Sequence, residues 1–582
     1  MGDRIFDNLS ESHIKIIKNM RKLFIISIVL TVISFMQLIV ASQKHLNLVE
    51  IPAKNYFMSG KKTNDVKYVD PPVQSWFPVA PKLPEVTGDV IRVSNVTQLY
   101  HAVDNVKKGG IIAIADGHYK MPRSLVIPTS DITIRSESDD RTKVILDFEG
   151  SIHGEGVVIN SPVGFILASL TIQNVTQNGI KINSNLGVDK VTIYNVISHN
   201  VWQRHIKGPK VPDNEDGTPS WVEGCIVQYC LFYNDRPKTL DDEPYEKENP
   251  DEFGGNYVGG IDIMNAKDWT ISDNVFIGIR GRTGSGRGSI FMWHNGFDCI
   301  IERNIFIDND SGICLGNSSA RGERRHCTGF IVRNNFITRT NANEGIFVGH
   351  TRDCKILYNT VHNPGTGRLI RIPHANDGLL VEGNVFSGTS WGVNIDETDN
   401  IIPITFRNNL NKLSTEFFVD PVNGDLHLKS TAADMIDKGP VLEEVVEDID
   451  RQIRDNKPDL GADEYRSVVS GMRKDTEMKF LCSAYPNPTN EYLILKVDNH
   501  YNNNVFYQLF DLNGKLLKNR KVTEPETIIQ MGSLKPAVYS LVVYDFGKED
   551  KIINFPDNII HQNLLFNEYQ PGFVKTIKVI KK

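Results

Sequence analysis

The chain has 582 residues, 40% of them hydrophobic and 23% charged, a globular composition with room for several domains and none for wholesale disorder. Its 64 basic against 71 acidic side chains leave a formal charge of −7, so no basic surplus marks a nucleic acid as partner. Seven cysteines (Cys225, Cys230, Cys299, Cys314, Cys327, Cys354, Cys482) are too few, and odd in number, for a disulfide framework. They lack structural-zinc spacing, and are expected as small buried residues with no metal site among them.

In chain order, Arg21 and Lys22 lead into an apolar run from Leu23 to Ala41, the arrangement of a secretory signal peptide over 20–42 with translation starting at Met20. The run is also long enough to span a bilayer, so an uncleaved anchor is the structural alternative. An N-terminal extension follows over 43–89. The segment NVTQLYHAVDNVKKGGIIAIADGHY (95–119) predicts an amphipathic helix and then a strand, the helix capping the open end of what stacks behind it.

Between about 155 and 412 a unit recurs: a short apolar strand, a polar turn, and a second strand ending near asparagine. The clearest copies are IDIMNAKDWTISDNVF (261–276), IFMWHNGFDCIIERNIF (290–306), IFVGHTRDCKILYNTV (346–361) and IRIPHANDGLLVEGNVF (370–386). Stacked units of this kind pair every strand with its copy above and below, which is a parallel β-helix. The asparagines Asn174, Asn195, Asn274, Asn304, Asn334, Asn359, Asn384 and Asn408 are expected to form an internal amide ladder. Asp268, Asp298, Asp353, Asp377 and Asp399 recur in one register and are read as turn residues.

The chain from 90 to 465 resembles the secreted right-handed parallel β-helix proteins, among them pectate, alginate and chondroitin lyases and polygalacturonases. The resemblance is specific for fold and weak for substrate. DIDRQIRDNKPDLGADEY (448–465) looks like the closing motif of such bacterial helices, with Arg451 where that motif usually has glycine. After a charged linker at 466–478, residues 479–582 read as a small β-sandwich of alternating strands with an Asn513-Gly514 turn. Its AYPNPTNEYLILKV entry (484–497), its VFYQLFDLNGKLL hairpin (505–517) and its basic last strand resemble the C-terminal sorting domain of the type IX secretion system of Bacteroidota. That resemblance implies the secretion machinery as a partner, passage through the periplasm, and release or attachment at the outer surface.

Stacking turns the repeat into columns. Aligning Ile180, Ile206, Ile261, Ile290, Ile313, Ile346, Ile370 and Val393 puts Lys181, Lys207, Asp262, Phe291, Cys314, Phe347, Arg371 and Asn394 in one outward column. A second column reads Asn265, His294, Asn317, His350, His374 and Glu397. A polar ladder trimming the turn is the plain reading. The functional reading is a groove for an extracellular, anionic polysaccharide, cleaved by β-elimination. That reaction needs a neutralised carboxylate, a base for the C5 proton and an acid for the leaving oxygen.

Lys207 is the expected base, with Asp262 tuning it and His294 as proton donor. Lys181, Arg204, Arg371, His350 and His374 are expected to bind substrate, with His205 flanking Lys207. The flexible Gly-rich loop RGRTGSGRG (280–288) adds Arg280, Arg282 and Arg287, whose planar forks suit carboxylate or sulfate. Trp202, Trp221, Trp269, Trp293 and Trp391 either stack on sugars or pack between turns. Calcium is the candidate cofactor, held if at all by the acidic insertion DDEPYEKENPDE (241–252), which lacks EF-hand order. A hydrolase would need paired carboxylates, and Asp262 lies several turns from Asp396 and Glu397. A non-catalytic glycan-binding or adhesive protein, and a hydrolase or epimerase using the same groove, are the alternatives.

Overall fold

The computed structural model describes residues 71–466, apart from 87–88, 161–162, 319–324, 339–342, 366 and 390–391, and beyond them most of 481–545 with 573–581. The signal-peptide and start-site expectations, Trp391 and the Asn513-Gly514 turn lie outside the described residues. Contacts divide the chain into two compact units between Tyr465 and Arg466.

The first unit opens on a helix, Val96–Asn105, whose Asn95 cap accepts the Gln98 amide at 2.9 Å. Its buried face (Leu99, Ala102, Val103) joins the main core at the start of the coil. Behind it stack four parallel sheets: sheet A of 12 strands, sheet B of 11, sheet C of 10 and sheet D of 6. One turn runs through Gly259–Met264 in sheet C, Ala266–Lys267 in D, Thr270–Ser272 in A and Val275–Ile277 in B. The strands are this short because the corners between them hold left-handed residues, Asn265, Asp268 and Asp273 at φ 54°, 55° and 61°. Asparagine and aspartate tolerate that conformation better than other residues with a Cβ. The aspartate register therefore marks corners at Asp268, Asp298 and Asp353, with two corrections: Gly378 (φ 66°) takes the corner while Asp377 beside it accepts the Ile401 amide, and Asp399 is not a left-handed corner residue.

The amide ladder exists in a corrected register. Side-chain amides link Asn274, Asn304, Asn335, Asn359, Asn384 and Asn409 in order, each bond 2.8–3.0 Å long. Asn334 and Asn408 are instead corner residues at φ 53° and 50°, as are Asn174 and Asn195 at 58° and 53°. The ladder residue is the one immediately before the sheet B strand, so in each Asn-Asn pair the second asparagine points inward. Beneath it, the residues entering sheet A alternate small and large: Cys225, Trp269, Cys299, Phe330, Cys354, Leu379, all buried. These cysteines are packing residues, and burial pushes their thiols up.

Residues 415–465 then return along the outward face of sheet B. Phe417, Phe418, Leu426, Met435 and Leu460 pack there on Ile197, Leu231, Val275, Ile305, Phe336 and Val385. Arg451 forks onto Asp273 at 2.5 and 2.7 Å, and Arg303 reaches Glu447 at 3.0 Å.

The second unit has an antiparallel sheet of 3 strands and another of 4, sharing a core of Leu493, Leu495, Leu509, Leu541 and Val579.

Candidate functional site

Sheet C sets Lys181, Lys207, Asp262, Phe291, Cys314, Phe347, Arg371 and Asn394 on successive rungs of one ladder. The centre of this face is Asp262, 2% exposed. Its Oδ2 accepts Arg204 Nε at 2.7 Å and pairs with Lys207 Nζ at 2.9 Å, while its Oδ1 accepts the Trp293 indole N–H at 3.2 Å. Burial alone would raise this carboxyl, but the Lys207 and Arg204 charges outweigh it and hold the group below the usual carboxylate range. Asp262 is thus a fixed anion that organises its neighbours.

Arg204, expected on the groove surface, is interior. Its side chain is 1% exposed, with the Tyr257 ring 4.0 Å over the guanidinium. A wholly buried pair, Lys238 and Glu246 at 2.9 Å, fixes Tyr257: Glu246 accepts its amide and Lys238 donates to its carbonyl. His205 is also interior. Its Nδ1 is 2.8 Å from Ser198 Oγ, and burial drives it down to about 3.

The arginine loop is braced rather than flexible, since Asp310 accepts the amides of Gly281 and Gly286 at 2.7 and 2.8 Å. Its three arginines part company. Arg280 pairs with Asp308 at 2.9 Å and Arg282 donates to the Gly254 carbonyl at 2.8 Å. Arg287 lies in the electrostatic neighbourhood of Arg204 and Asp262. Further along the face, Lys181 pairs with Glu155 at 2.9 Å, and Arg371 with Glu344 at 2.9 Å.

His294, His350 and His374 stand at the corner from sheet C to sheet D, at φ 61°, 58° and 67°. Their column includes a residue that sequence reasoning missed. His326 follows an insertion and precedes Cys327, which pairs in register with Gly296 and Thr351. Its ring lies 5.5 Å from His350, which stacks on His374 at 4.7 Å, and its Nδ1 accepts the His294 amide at 3.1 Å. Of the tryptophans, Trp293 is at the site. Trp269 is interior, its indole N–H on the Val222 carbonyl at 2.8 Å, and Trp202 lies beneath Arg236 at 4.4 Å.

The acidic insertion does not offer calcium a shell. Asp241 pairs with Lys247, Asp242 with Arg236 and Glu246 with Lys238, while Glu243 accepts amides of the helix it precedes. Elsewhere among the described residues, His427, Asp450 and Asp463 are close together. There His427 lies between Asp425 at 2.6 Å and Asp450 at 3.0 Å; burial opposes its charge, but the two carboxylates carry it up to about 10. The two carboxylates thus favour the charged imidazole.

Helix and flanking unit together define the chain as a parallel β-helix carrying a secretion-system sorting domain. Residues 483–553 match the family described as "Secretion system C-terminal sorting domain", which places the protein on the type IX route to the outer surface with that machinery as partner. Residues 251–420 match the family described as "Periplasmic copper-binding protein (NosD)". The thiols of Cys299, Cys327 and Cys354 within that stretch are buried and raised, which does not fit copper ligation. No curated protein matches the chain.

Among solved structures, the PL6 family polysaccharide lyase Pedsa3628 from Pseudopedobacter saltans is 14% identical, with a TM-score of 0.35 over 58% of this chain and 96% of that one. The PL6 family alginate lyase AlyGC is 14% identical, with a TM-score of 0.28 over 56% of this chain and 52% of that one. The PfbA surface adhesin of Streptococcus pneumoniae is 11% identical, with a TM-score of 0.17 over 50% of this chain and 88% of that one. At such values likeness assigns no activity.

Proposed function

We propose that the β-helix acts at the cell exterior on an anionic polysaccharide laid along sheet C and breaks it by β-elimination. The observation that carries this reading is the buried Asp262 carboxylate holding Lys207 on the outward ladder, beside Trp293 and Arg287. A cation fixed on a rigid strand is suited to neutralise a uronate carboxylate and to deliver a proton to the leaving oxygen. In this reading the roles expected from sequence are exchanged: Lys207 is the acid, and an imidazole of the corner column, His294 first, takes the C5 proton. Histidine suits abstraction near neutral pH.

The test is ultraviolet absorbance of unsaturated uronate released from alginate, pectate, glycosaminoglycans and ulvan. Lys207→Ala is expected to abolish turnover while the fold stays intact, because Arg204 still satisfies Asp262. Wild-type turnover in that variant would remove Lys207 from the reaction. The second reading, a glycan-binding surface protein, draws on the ion pairs of Lys181 and Arg371 within the wall itself. Binding without any new unsaturated or reducing end would establish it.

A further inference from the structure

Among the described residues, the arginines around sheet C are matched to acids or carbonyls of the chain itself. Arg204 has Asp262, Arg280 has Asp308, Arg282 has the Gly254 carbonyl, and Arg368 and Arg371 share Glu344. Arg287 is different: no hydrogen bond or ion pair to its guanidinium is formed by the described residues. Its charge is nonetheless held beside another cation. Burial and the nearby Arg204 both press against its charged form, while Asp262, Tyr257 and Cys314 favour it. Asp262 is in turn already occupied by Arg204, Lys207 and Trp293. The cluster of Arg204, Lys207 and Arg287 against Asp262 therefore has two positive charges in excess.

The backbone is shaped to hold the guanidinium there. Asp310 braces the loop through Gly281 and Gly286, and the Arg287 amide donates to the Val258 carbonyl at 2.7 Å. Between the two arginines lies Gly259. A Cβ at that position would sit 3.3 Å from Arg287 Cβ and 3.5 Å from Arg204 Cδ, so its absence lets both side chains pass the same rung. A fold gains nothing by bringing an unmatched guanidinium up to another on a rigid support; an anion from outside does.

We infer that Arg287 is the anion anchor of the groove, its guanidinium left without an internal acid so that a carboxylate of the polymer completes the pair. The inference rests on the reading of sheet C as a groove for an anionic polymer, and it names the group that the groove grips. A planar fork takes a carboxylate through two parallel N–H bonds, which an ammonium cannot reproduce.

The test is calorimetric titration of the full-length protein with polygalacturonate, alginate and dextran sulfate at one ionic strength, alongside thermal unfolding. Arg287→Gln is expected to weaken polyuronate binding about tenfold or more, with Arg287→Lys recovering only part of the loss. Arg282→Gln, on the same loop, should bind as wild type does. Without ligand, Arg287→Gln should unfold at the same or a higher temperature, because repulsion with Arg204 is relieved; an arginine kept for structure would lower it. Unchanged polyuronate affinity in Arg287→Gln, with Lys207→Ala weakened, overturns the anchor and leaves the groove standing. An Arg287-dependent affinity for dextran sulfate alone overturns the carboxylate assignment. Failure of the wild-type protein to bind any of the three polymers overturns both the groove reading and the anchor.

Discussion

Sheets B and C are built from the same coil and the same ladder geometry, yet their outward faces have opposite fates. Sheet B presents Ile197, Leu231, Val275, Ile305, Phe336 and Val385 outward, and the returning segment 415–465 covers them with its own apolar side chains. Sheet C presents Lys207, Asp262, Phe291 and Arg371 on its ladder. A parallel β-helix thus leaves the choice between cover and groove to the outward side chains of each sheet, because the backbone treats both alike.

Loss of either centre should cost most. Asp262→Asn strands two cations at a buried site, and is expected to destabilise by about 3–5 kcal/mol in urea unfolding. Phe418→Ala, on the covered face, should cost about as much through the cavity it leaves. If Asp262→Asn is neutral, the polar face is not held together by its ion pairs and the contrast between the sheets fails.

The covered side should also respond to pH. Burial raises Asp448 to about 8, Asp463 to about 6 and Glu464 to about 7, with Asp463 adding repulsion at Asp448. Folded values above unfolded ones mean that these groups stabilise when protonated, and that this stability drains away as pH rises from about 4 through 6 to 8. His427, up at about 10, has the same sign at higher pH. Asp448→Asn should therefore gain on the wild type between pH 5 and pH 9, measured as the difference in urea midpoints. A pH-independent difference would show that this carboxylate is not protonated in the fold.

Within the coil, Asn335→Ala is expected to cost about 1–3 kcal/mol, because it leaves the Asn304 side-chain and backbone donors without their acceptor. Asn334→Ala should be milder, which checks the corrected register. The smallest effect concerns Arg451, which holds φ 64° where the resembled motif has glycine. Arg451→Gly relieves that backbone strain but removes the fork on Asp273, so a net loss of about 1 kcal/mol is expected. A gain in stability would show that the fork contributes less than the strain costs.

The reading of residues and the structure agree where information is local or periodic. Alternation and a recurring unit of constant register were enough to set Lys181 to Asn394 on one ladder, and the capping helix was visible in its own amphipathic pattern. They part where two adjacent residues compete for one place: in Asn334-Asn335, composition is blind to which one enters the ladder. They part again where an insertion interrupts the repeat, which hid His326 from its column.

The sequence by itself determined the coil, its core and the identity of its outward columns, because a period-2 strand repeated in register carries that information in every unit. Tertiary structure alone decided which of those charges face outward unmatched. Arg204 became interior only because the insertion ending at Tyr257 folds over it, and Asp273 is matched by an arginine 178 residues away. Ion pairing depends on distances between side chains far apart in the chain, and such distances exist only once the coil has closed and its returning segment has chosen a face.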